Sequence, residues 1–443
     1  MKEQIKIPTS KIQRAASFAG TGAKIGGNYL KYYIKKAVNP DLTRDELNED
    51  NAEDVYETLS KLKGSALKVA QMLSMDKNIL PTAYQNKFQM AQYSAPPLSY
   101  PLVLKTFQKE LSKAPLEVFD SFSKSAMNAA SIGQVHKATK GNKHYAVKVQ
   151  YPGIADSVSS DLKLVKPLAV RLLNLKGSDI DKYFKEVEIK LLEETDYNLE
   201  LRRSIEISEA CKSLKGVKFP KYYPEYSSGR ILTMDWMEGV PLTVFLNQCE
   251  DQAVRNSIGQ AIWDFYIFQI FELRKVHADP HPGNFIIGSD HQLGVIDFGC
   301  VKEIEPEFHE AYFKLLDQAT INDDQAFTKS LYHLDFLLKE DDDKTVKLLK
   351  RSFAEMLSLL GSPFNSDEFD FSDESYFRKI YELGEQFSSD PSLKHINGAR
   401  GPQDALYINR TCFGLYSILN LLKARITTEG VKPYMMGQGF SMV

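Results

Sequence analysis

Three polar residues have the types and the spacing of a site that binds a magnesium-nucleotide complex. Asp279 is followed five positions later by Asn284, and Asp297 opens an Asp-Phe-Gly triplet further along the chain. This is the spacing of a kinase catalytic loop and of the metal-binding turn after it. Carboxylate and amide oxygens can surround one or two hard cations. The predicted chemistry is phosphoryl transfer, with Asn284 and Asp297 as ligands of Mg²⁺ and Asp279 as the residue that orients or deprotonates the acceptor.

A lysine on a predicted strand supplies the phosphate-binding part of the same chemistry. Residues 129–138 and 145–150 have the pattern of two strands that form a hairpin with its turn at Gly141-Asn142. The second strand contains Ala-Val-Lys, and a lysine there, downstream of a small-residue turn, is where a kinase fold holds the nucleotide phosphates. The turn is rich in alanine instead of glycine, which allows fewer positive-φ conformations. Lys148 is therefore predicted to bind the α- and β-phosphates.

Two histidines in the same stretch offer a rival interpretation, a metal-dependent hydrolase. His277 and His281 stand four positions apart, and histidines at that spacing bind a metal when a helix places them on one face. Pro280 and Pro282 interrupt such a helix. The phosphoryl-transfer interpretation is therefore preferred.

The elements that must position these residues follow from the hydrophobic pattern. The apolar run 230–237 predicts a strand that leads into Glu238-Gly239 and suits a hinge between two lobes. Residues 254–274 are strongly apolar but contain three charged residues, which favours a buried helix over a membrane span. The runs 285–288 and 293–296 predict a short hairpin that carries the Asp-Phe-Gly triplet.

The first hundred residues contain a second, weaker signal. Residues 41–54 predict an acidic loop, and residues 55–75 predict a helix on which Lys68 and Gln71 share one face. Such a pair is usually solvated surface. The Ala-Pro-Pro sequence at 95–97 marks a domain boundary.

The remaining chain is predicted to be mostly helical. Residues 98–119 and 406–425 predict helices, and residues 361–375 predict an acidic loop between helices. The predominantly helical region 161–209 contains a run of carboxylates, whose simplest interpretation is a solvated acidic face. Three members of that run are candidates for the site, and these are Glu194, Asp196 and Glu200.

The composition is that of an ordinary globular protein. The chain has 443 residues, of which 43% are hydrophobic and 26% charged, and its net charge is −3. That charge gives no reason to expect nucleic acid as a partner. The cysteines contain no CxxC pair, which favours a reducing compartment, no disulfides and no zinc site. They are Cys211, Cys249, Cys300 and Cys412.

Any contact with a membrane is predicted to be peripheral. The sequence has no apolar run after its first lysines that would make a secretory signal, and no window of about 18 apolar residues that would span a bilayer. Residues 11–36 predict a basic, weakly amphipathic helix, for which packing on its own domain is preferred over contact with an anionic bilayer. The protein is therefore expected to be cytoplasmic or peripheral at an inner membrane surface.

Together these motifs resemble the UbiB family of atypical protein-kinase-like proteins, also called the AarF or ancient conserved kinase-like family. The most diagnostic stretch, 63–74, is similar to the family's KxGQ motif at Lys68 and Gln71, with Ala70 in place of the glycine. The resemblance spans residues 7–425, nearly the whole chain. It overturns the interpretation of the Lys68 and Gln71 face as ordinary surface.

The same resemblance assigns the other motifs. Residues 128–131 are similar to the family's alanine-rich loop, with Asn128 in place of its first alanine. The family's ExD motif falls on Glu194 and Asp196, and the helix glutamate that pairs with the strand lysine falls on Glu200. The residues assigned to the site are, as catalytic residues, Asp279, Lys148 and Lys68; as nucleotide-binding residues, Ala129, Ala130, Ser131, Lys148, Glu200, Met234 and Met237; as metal ligands, Asn284 and Asp297; and as regulatory residues, Lys68, Gln71, Glu194 and Asp196.

What the resemblance implies for the fold is a bilobal, α+β protein-kinase-like architecture with a helix-rich C-terminal lobe. The domains would be a helical N-terminal extension over 1–95, an N-lobe over 96–236 and a C-lobe over 237–443. In such proteins the KxGQ-like helix lies over the nucleotide cleft, where Lys68 would meet the ExD carboxylates and block a protein substrate.

What it implies for function is a nucleotide-binding ATPase that supports isoprenoid quinone biosynthesis, often at membranes. The cofactors would be ATP or ADP and Mg²⁺, and the partners would be the nucleotide and a membrane surface, a prenyl lipid or a quinone precursor. Two alternatives stay open. One is a phosphotransferase that acts on a protein or a small hydroxyl acceptor, and the other is a nucleotide-gated lipid-binding or scaffold protein.

Overall fold

The computed structural model describes residues 11–39, 45–62, 98–129, 132–172, 179–389 and 400–435. The chain divides into two units, of which the first comprises Met1–Arg202 and Lys221–Trp236 and the second Arg203–Pro220 and Met237–Val443. The last passage from one unit to the other follows Trp236, in the stretch predicted as a hinge. A separate N-terminal extension over residues 1–95 stays a prediction.

The helices and strands follow one another along the chain with short connections. Up to the end of the first long helical region they are α1 Lys11–Val38, α2 Asp45–Leu62, α3 Tyr100–Leu111, α4 Pro115–Val118, β1 Ser121–Phe122, β2 Asn128–Ala129, β3 Gly133–Lys140, β4 Lys143–Gln150, α5 Ile154–Leu172, α6 Asp179–Glu194 and α7 Tyr197–Ala210. The later elements are β5 Val217–Lys218, β6 Ile231–Asp235, β7 Val240–Pro241, α8 Leu242–Gln248, α9 Gln252–Phe268, β8 Lys275–His277, β9 Phe285–Ile287, β10 Leu293–Val295, β11 Val301–Glu303, α10 Pro306–Leu316, α11 Gln318–Asn322, α12 Asp324–His333, α13 Asp343–Gly361, β12 Glu368–Asp370, α14 Glu374–Ser389, α15 Gln403–Leu422, β13 Arg425–Thr427 and α16 Lys432–Met435.

The first unit is built on an antiparallel sheet with the order β1-β3-β4-β6, in which β2 also pairs with β3. The predicted hairpin is confirmed, because β3 pairs with β4 along its whole length and Gly141 takes φ +57° in the turn. The first strand starts at Gly133 instead of residue 129, and Asn128–Ala129 forms the separate strand β2. Residues 130 and 131 lie outside the described residues.

An apolar core holds this sheet against α3. Its buried side chains come from the helix, from the segment before β1 and from the inward-facing positions of the strands. They include Val103, Phe107, Phe119, Phe122, Ala138, Tyr145, Val147, Val149 and Ile231. The aromatic members meet edge-on or tilted, as Phe107 and Phe122 do at 5.3 Å.

The helix predicted at 11–36 is confirmed as α1, but the loop predicted for residues 41–54 is wrong over most of its length. α2 begins at Asp45, because Leu47, Val55 and Leu59 bury apolar side chains at helical spacing. The remainder of the helix predicted at 55–75, beyond the end of α2, lies outside the described residues.

The single helix predicted at 98–119 is divided in two by a local turn. α3 ends where Ser112 takes a left-handed conformation at φ +55°. Pro115, whose fixed φ suits a first helical turn, then starts the short α4.

In the second unit the elements around the Asp-Phe-Gly triplet agree with the predictions. The hairpin predicted at 285–288 and 293–296 is confirmed as β9 and β10, within a sheet of order β5-β10-β9-β7. The buried helix predicted at 254–274 is confirmed as α9, with the difference that its last turn, Gln269–Leu273, is π-helical and stops at Arg274 with φ +51°.

One element of the second unit was missed. The loop predicted at 361–375 contains β12, which pairs antiparallel with β13. A strand of three residues is too short for alternation to reveal it. Behind it Phe371 packs at 6.2 Å from the Trp263 ring of α9, so the loop is fixed to the core.

A buried ion pair joins α1 to α5 within the first unit. Arg14 meets Asp161 through two contacts, Nε to Oδ1 and Nη2 to Oδ2, each 2.5 Å long. The side chains are 2% and 0% exposed, and the Ser157 hydroxyl donates to Asp161 Oδ2 at 3.0 Å. A paired, bidentate geometry is the condition under which such charges are tolerated in a protein interior.

Replacing Arg14 with methionine is expected to lower the free energy of unfolding by about 3–5 kcal/mol, because it removes the charge that offsets the desolvation of the Asp161 carboxylate. Urea denaturation followed by circular dichroism measures the change. Lys24→Met is the matched control, since Lys24 belongs to the same helix but pairs with Asp54 while 54% exposed, and it should have little effect. Equal losses for the two variants would contradict the buried role of Arg14.

Candidate active site

The first part of the site is a buried ion pair on the sheet of the first unit. Lys148 lies on β4, opposite Val135 of β3 and Leu232 of β6. Its Nζ is 2.7 Å from Oε1 of Glu200, in the first turn of α7, and the two side chains are 11% and 2% exposed. The Lys148 ammonium also lies 5.1 Å from the centre of the Tyr197 ring, a cation–π contact. The lysine predicted from the strand pattern is therefore held by the glutamate that the family resemblance assigned to it.

The start of α7 is fixed to the strand that carries this lysine. Asp196 Oδ1 accepts hydrogen bonds from the backbone N–H groups of Asn198 at 3.0 Å and Leu199 at 3.2 Å, which makes it the N-cap of the helix. On β4, the Gln150 side chain donates to the carbonyl oxygen of Thr195 at 2.7 Å. Because both ends of the ion pair are anchored within a few residues, its geometry is rigid.

A close approach at the start of β3 explains a glycine next to the alanine-rich loop. A Cβ atom on Gly133 would lie 2.5 Å from the Tyr197 hydroxyl and 2.9 Å from the carbonyl oxygen of Val149. Only glycine fits at such distances. The strand therefore lies directly against the ring that contacts the Lys148 ammonium.

The other residues assigned to this part of the site have different surroundings. Ala129 ends β2. Glu194 is buried at the end of α6, whereas Asp196 is exposed and serves as a helix cap. Four assigned residues, Lys68, Gln71, Ala130 and Ser131, lie outside the described residues. The regulatory roles of Glu194 and Asp196 stay predictions.

The two methionines assigned to nucleotide binding flank the passage between the units. Met234 is buried on β6 opposite Ala146 of β4. Met237 belongs to the second unit, where Gly294 of β10 leaves room for its methyl group, since a Cβ on that glycine would lie 2.9 Å from Met237 Cε. Contact of either methionine with a nucleotide stays a prediction.

The second part of the site begins at a buried histidine in the second unit. His277 ends β8, its backbone N–H donates to Oε1 of Gln269 at 2.9 Å, and its Nδ1 is 3.2 Å from the Tyr266 hydroxyl. Burial, reinforced by the negative charge of Asp279, raises the pKa of the Tyr266 phenol well above its usual value. The phenol therefore stays protonated and donates to the imidazole, which fixes the start of the loop.

The hairpin and the loop bring the three polar residues together. The Asn284 side-chain N–H donates to the carbonyl oxygen of Asp279 at 3.0 Å, and the carbonyl oxygen of Asn284 accepts from the N–H of Ile296 at 3.1 Å. The register of β9 and β10 thus places Asn284 opposite the residue that precedes Asp297. Asp297 Oδ1 accepts from the backbone N–H of Gly299 at 2.8 Å.

The donor set of this part suits a hard cation. Because the Asn284 amide nitrogen is turned to Asp279, the atom that Asn284 offers to a ligand is its side-chain oxygen. Asp297 adds a carboxylate. Amide and carboxylate oxygens are ligands that Mg²⁺ accepts, so the two residues fit the metal that the sequence predicted.

The histidine pair of the rival interpretation does not form a unit. His277 lies on a strand with Tyr266 as its partner, whereas Nδ1 of His281 accepts from the N–H of Gly283 at 3.1 Å and caps a 3₁₀ turn. The strand and turn replace the helix that would have placed both rings on one face, in keeping with Pro280.

Two residues next to the assigned set were missed from the sequence. One is Tyr197, whose ring contacts Lys148, and the other is Arg410 of α15, whose Nη2 lies 3.4 Å from Oδ1 of Asp279. The arginine and the aspartate are 131 positions apart, so no local spacing links them. A glycine inside the predicted helix, Gly414, was an available signal, because such glycines often mark a close approach.

Comparisons with known proteins agree with this geometry. The profile of the ABC1 atypical kinase-like domain matches residues 90–331. The mitochondrial atypical kinase COQ8B of Danio rerio is 29% identical over 440 residues, covering 96% of this chain and 68% of that protein. The mitochondrial atypical kinase COQ8 of Saccharomyces cerevisiae is 30% identical over 384 residues, covering 84% of this chain and 75% of that protein.

A solved structure extends the comparison to three dimensions. The complex of Rv3197 with erythromycin, from Mycobacterium tuberculosis, aligns with a TM-score of 0.61 at 24% identity and covers 88% of this chain and 96% of that chain. Together with the domain match, this likeness confirms the predicted α+β protein-kinase-like fold.

Replacing Lys148 with methionine is expected to weaken ATP binding about ten- to one-hundredfold, since a hydrogen bond to a charged group contributes about 1.5–3 kcal/mol. Isothermal titration calorimetry measures the affinity. The control is Lys143→Met, on the same strand but with an exposed side chain, which should bind ATP as the unmodified protein does. Unchanged affinity for the Lys148 variant would contradict its role at the phosphates.

Proposed function

This chain belongs to the ABC1 atypical kinase-like family, the group of UbiB and AarF proteins, and we propose that it works as a Mg²⁺-dependent, ATP-binding atypical kinase or ATPase. Kinase-type enzymatic activity follows from the family. The cation, the acceptor and the physiological role are what we propose, and the role is support of isoprenoid quinone or other lipid metabolism.

The observation that carries this proposal is the buried pair of Lys148 and Glu200. Burying both charges costs free energy, and an apolar pair of similar volume would often stabilise a core as well or better. An ammonium group carries three donors, so a lysine positioned by one carboxylate at 2.7 Å can also bind phosphate oxygens. The pair is therefore better explained by nucleotide binding than by stability.

Mg²⁺ would be held by Asn284 and Asp297. Once bound with the nucleotide, the cation neutralises charge on the phosphates. The support for this assignment is the oxygen donor set and its preparation by the chain, since Asp279 turns the Asn284 amide and Gly299 orients the Asp297 carboxylate.

Asp279 would orient or deprotonate the acceptor of the phosphoryl group. In an ATPase that acceptor is water, and in a phosphotransferase it is a hydroxyl group of a protein or a small molecule. The intact aspartate in the loop is the specific observation that keeps the phosphotransferase as the second candidate.

The KxGQ-like segment would restrict access of protein substrates. Lys68 and Gln71 would act on the carboxylates near the start of α7, where Glu194 is buried and Asp196 caps the helix that carries Glu200. A cation brought to that helix start would influence the ion pair of the nucleotide site, because the cap lies one turn from Glu200.

A membrane surface or a prenyl lipid is the proposed partner. Near the end of α1 the side chains of Leu30, Tyr33 and Ile34 are 64%, 56% and 60% exposed, beside the exposed Lys31 and Lys35. An apolar strip with flanking lysines is the composition of a helix that lies on an anionic bilayer. Within the described ranges, every helix is too short or too polar to cross a bilayer, and the proposed location is peripheral. A nucleotide-gated lipid-binding protein is the candidate that this strip supports if turnover is absent.

Replacing Asp297 with asparagine is expected to abolish the strengthening of ATP binding by Mg²⁺, because the variant lacks the anionic oxygen ligand. Titration calorimetry with ATP, in Mg²⁺ and in EDTA, measures the difference. Asp290→Asn is the control, since Asp290 belongs to the same hairpin but is exposed and pairs with Lys218 at 2.5 Å. A variant with an undiminished Mg²⁺ effect would remove Asp297 from the metal site.

The physiological role is tested in cells that lack the protein. The proposal expects an altered quinone or prenyl-lipid profile that the unmodified gene restores and the Asp297→Asn gene does not. An unaltered lipid and quinone profile would contradict the role while leaving the nucleotide chemistry intact.

Replacing Lys68 with alanine is expected to increase the transfer of labelled phosphate from ATP to protein, including the protein itself, because the cation that restricts access is removed. Autoradiography after incubation with labelled ATP measures the transfer. Lys61→Ala, in the same part of the sequence but outside the KxGQ-like motif, serves as the control. If the Lys68 variant and the unmodified protein label equally, the segment does not restrict access.

A further inference from the structure

We propose that Arg410 is a positioning residue that fixes the orientation of the Asp279 carboxylate from the C-terminal helix α15. The inference deepens the proposed function and rests on it, because it assigns to a distant helix a role in the step that Asp279 performs. Both residues belong to the second unit.

The direct contact is between the guanidinium and one carboxylate oxygen. Nη2 of Arg410 lies 3.4 Å from Oδ1 of Asp279, and the side chains are 22% and 20% exposed. A guanidinium stays charged over the whole accessible pH range. Partial burial reduces the screening that makes exposed ion pairs weak, so the contact can restrain the carboxylate.

A second contact one turn along the same helix brings the loop close to the backbone of α15. A Cβ atom on Gly414 would lie 2.3 Å from Cγ of Pro280, the residue after Asp279. Residues four apart share a helix face, so Arg410 and Gly414 approach the loop together. The glycine permits the distance at which the arginine reaches the carboxylate.

The helix itself is held in place from several sides. Near its start Asp404 is 2.7 Å from Nζ of Lys302, on β11. In its middle the Tyr312 hydroxyl donates to the Asn409 side chain. Further on, the Tyr416 hydroxyl donates to the carbonyl oxygen of Leu360 at 2.7 Å. These contacts flank Arg410, so the guanidinium extends from a rigid support.

The chemical consequence is a restraint on one oxygen of the carboxylate. With Oδ1 directed to Arg410, rotation of the Asp279 side chain is limited, and the direction of the other oxygen is set as well. A base that must meet an acceptor proton within hydrogen-bond reach gains from such pre-orientation, and a displacement of about 1 Å can cost about a hundredfold in rate.

The test compares Arg410→Met and Arg410→Lys with the unmodified full-length protein in steady-state ATP hydrolysis. The expected result is a kcat about ten- to one-hundredfold lower for methionine, with the KM for ATP within about twofold of the unmodified value because the nucleotide ligands are untouched. Lysine, which keeps the charge but not the planar fork, should restore part of the rate. Arg425→Met is the control, since Arg425 is 69% exposed and pairs with Asp370, and its rate should be unchanged.

Gly414→Ala approaches the same contact from the helix. The added methyl group would displace Pro280 and should lower kcat, with ATP affinity measured by calorimetry unchanged. That binding measurement shows that a slow variant is folded, for this variant and for both variants of Arg410.

The inference is overturned if Arg410→Met keeps the unmodified kcat, or if kcat and ATP affinity fall together and lysine restores nothing, which is the signature of structural damage. The proposed function fails in a different way. If Asp279→Asn hydrolyses ATP at the unmodified rate, Asp279 is not the base, and the role of Arg410 falls with it.

Discussion

The structure depends on the ion pair between Lys148 and Glu200. Two charges removed from water must compensate each other, and the 2.7 Å contact between them requires a strand and a helix start to be held in register. The central position of β4 in its sheet, the cap that Asp196 gives to α7 and the hydrogen bond from Gln150 to the turn before it all serve that requirement. The tight packing of Gly133 below Tyr197 follows from the same constraint.

The second unit solves a different problem, which is to gather oxygen ligands from residues spaced along the chain. A short hairpin does most of this, because its register places Asn284 opposite the residue before Asp297. Asp279 then contributes twice, with its carbonyl oxygen to the Asn284 amide and with its carboxylate to the acceptor. The loop has little regular structure, so its shape is maintained by the buried His277 on one side and by α15 on the other.

Predictability followed the distance along the chain. The set of Asp279, Asn284 and Asp297 was predicted because its spacing is local, and the hairpin of Lys148 because its alternation and turn are local too. The pairing of that lysine with a glutamate 52 positions away came only from the family resemblance. The contact of Arg410, 131 positions from its partner, was not predictable, because it depends on how α15 packs. The acidic start of α2 was predicted as a loop because polar residues on one face of a helix outnumbered the apolar residues on the other.

The central claim is that the chain binds a divalent cation together with nucleotide phosphates. Mn²⁺ shares the preference of Mg²⁺ for oxygen ligands, and its electron paramagnetic resonance reports what surrounds it. When the full-length protein is titrated into Mn²⁺ and ADP, the account predicts a protein-bound signal with ³¹P hyperfine coupling that weakens in the Lys148→Met variant. A spectrum identical to that of Mn²⁺ and ADP without protein would contradict it.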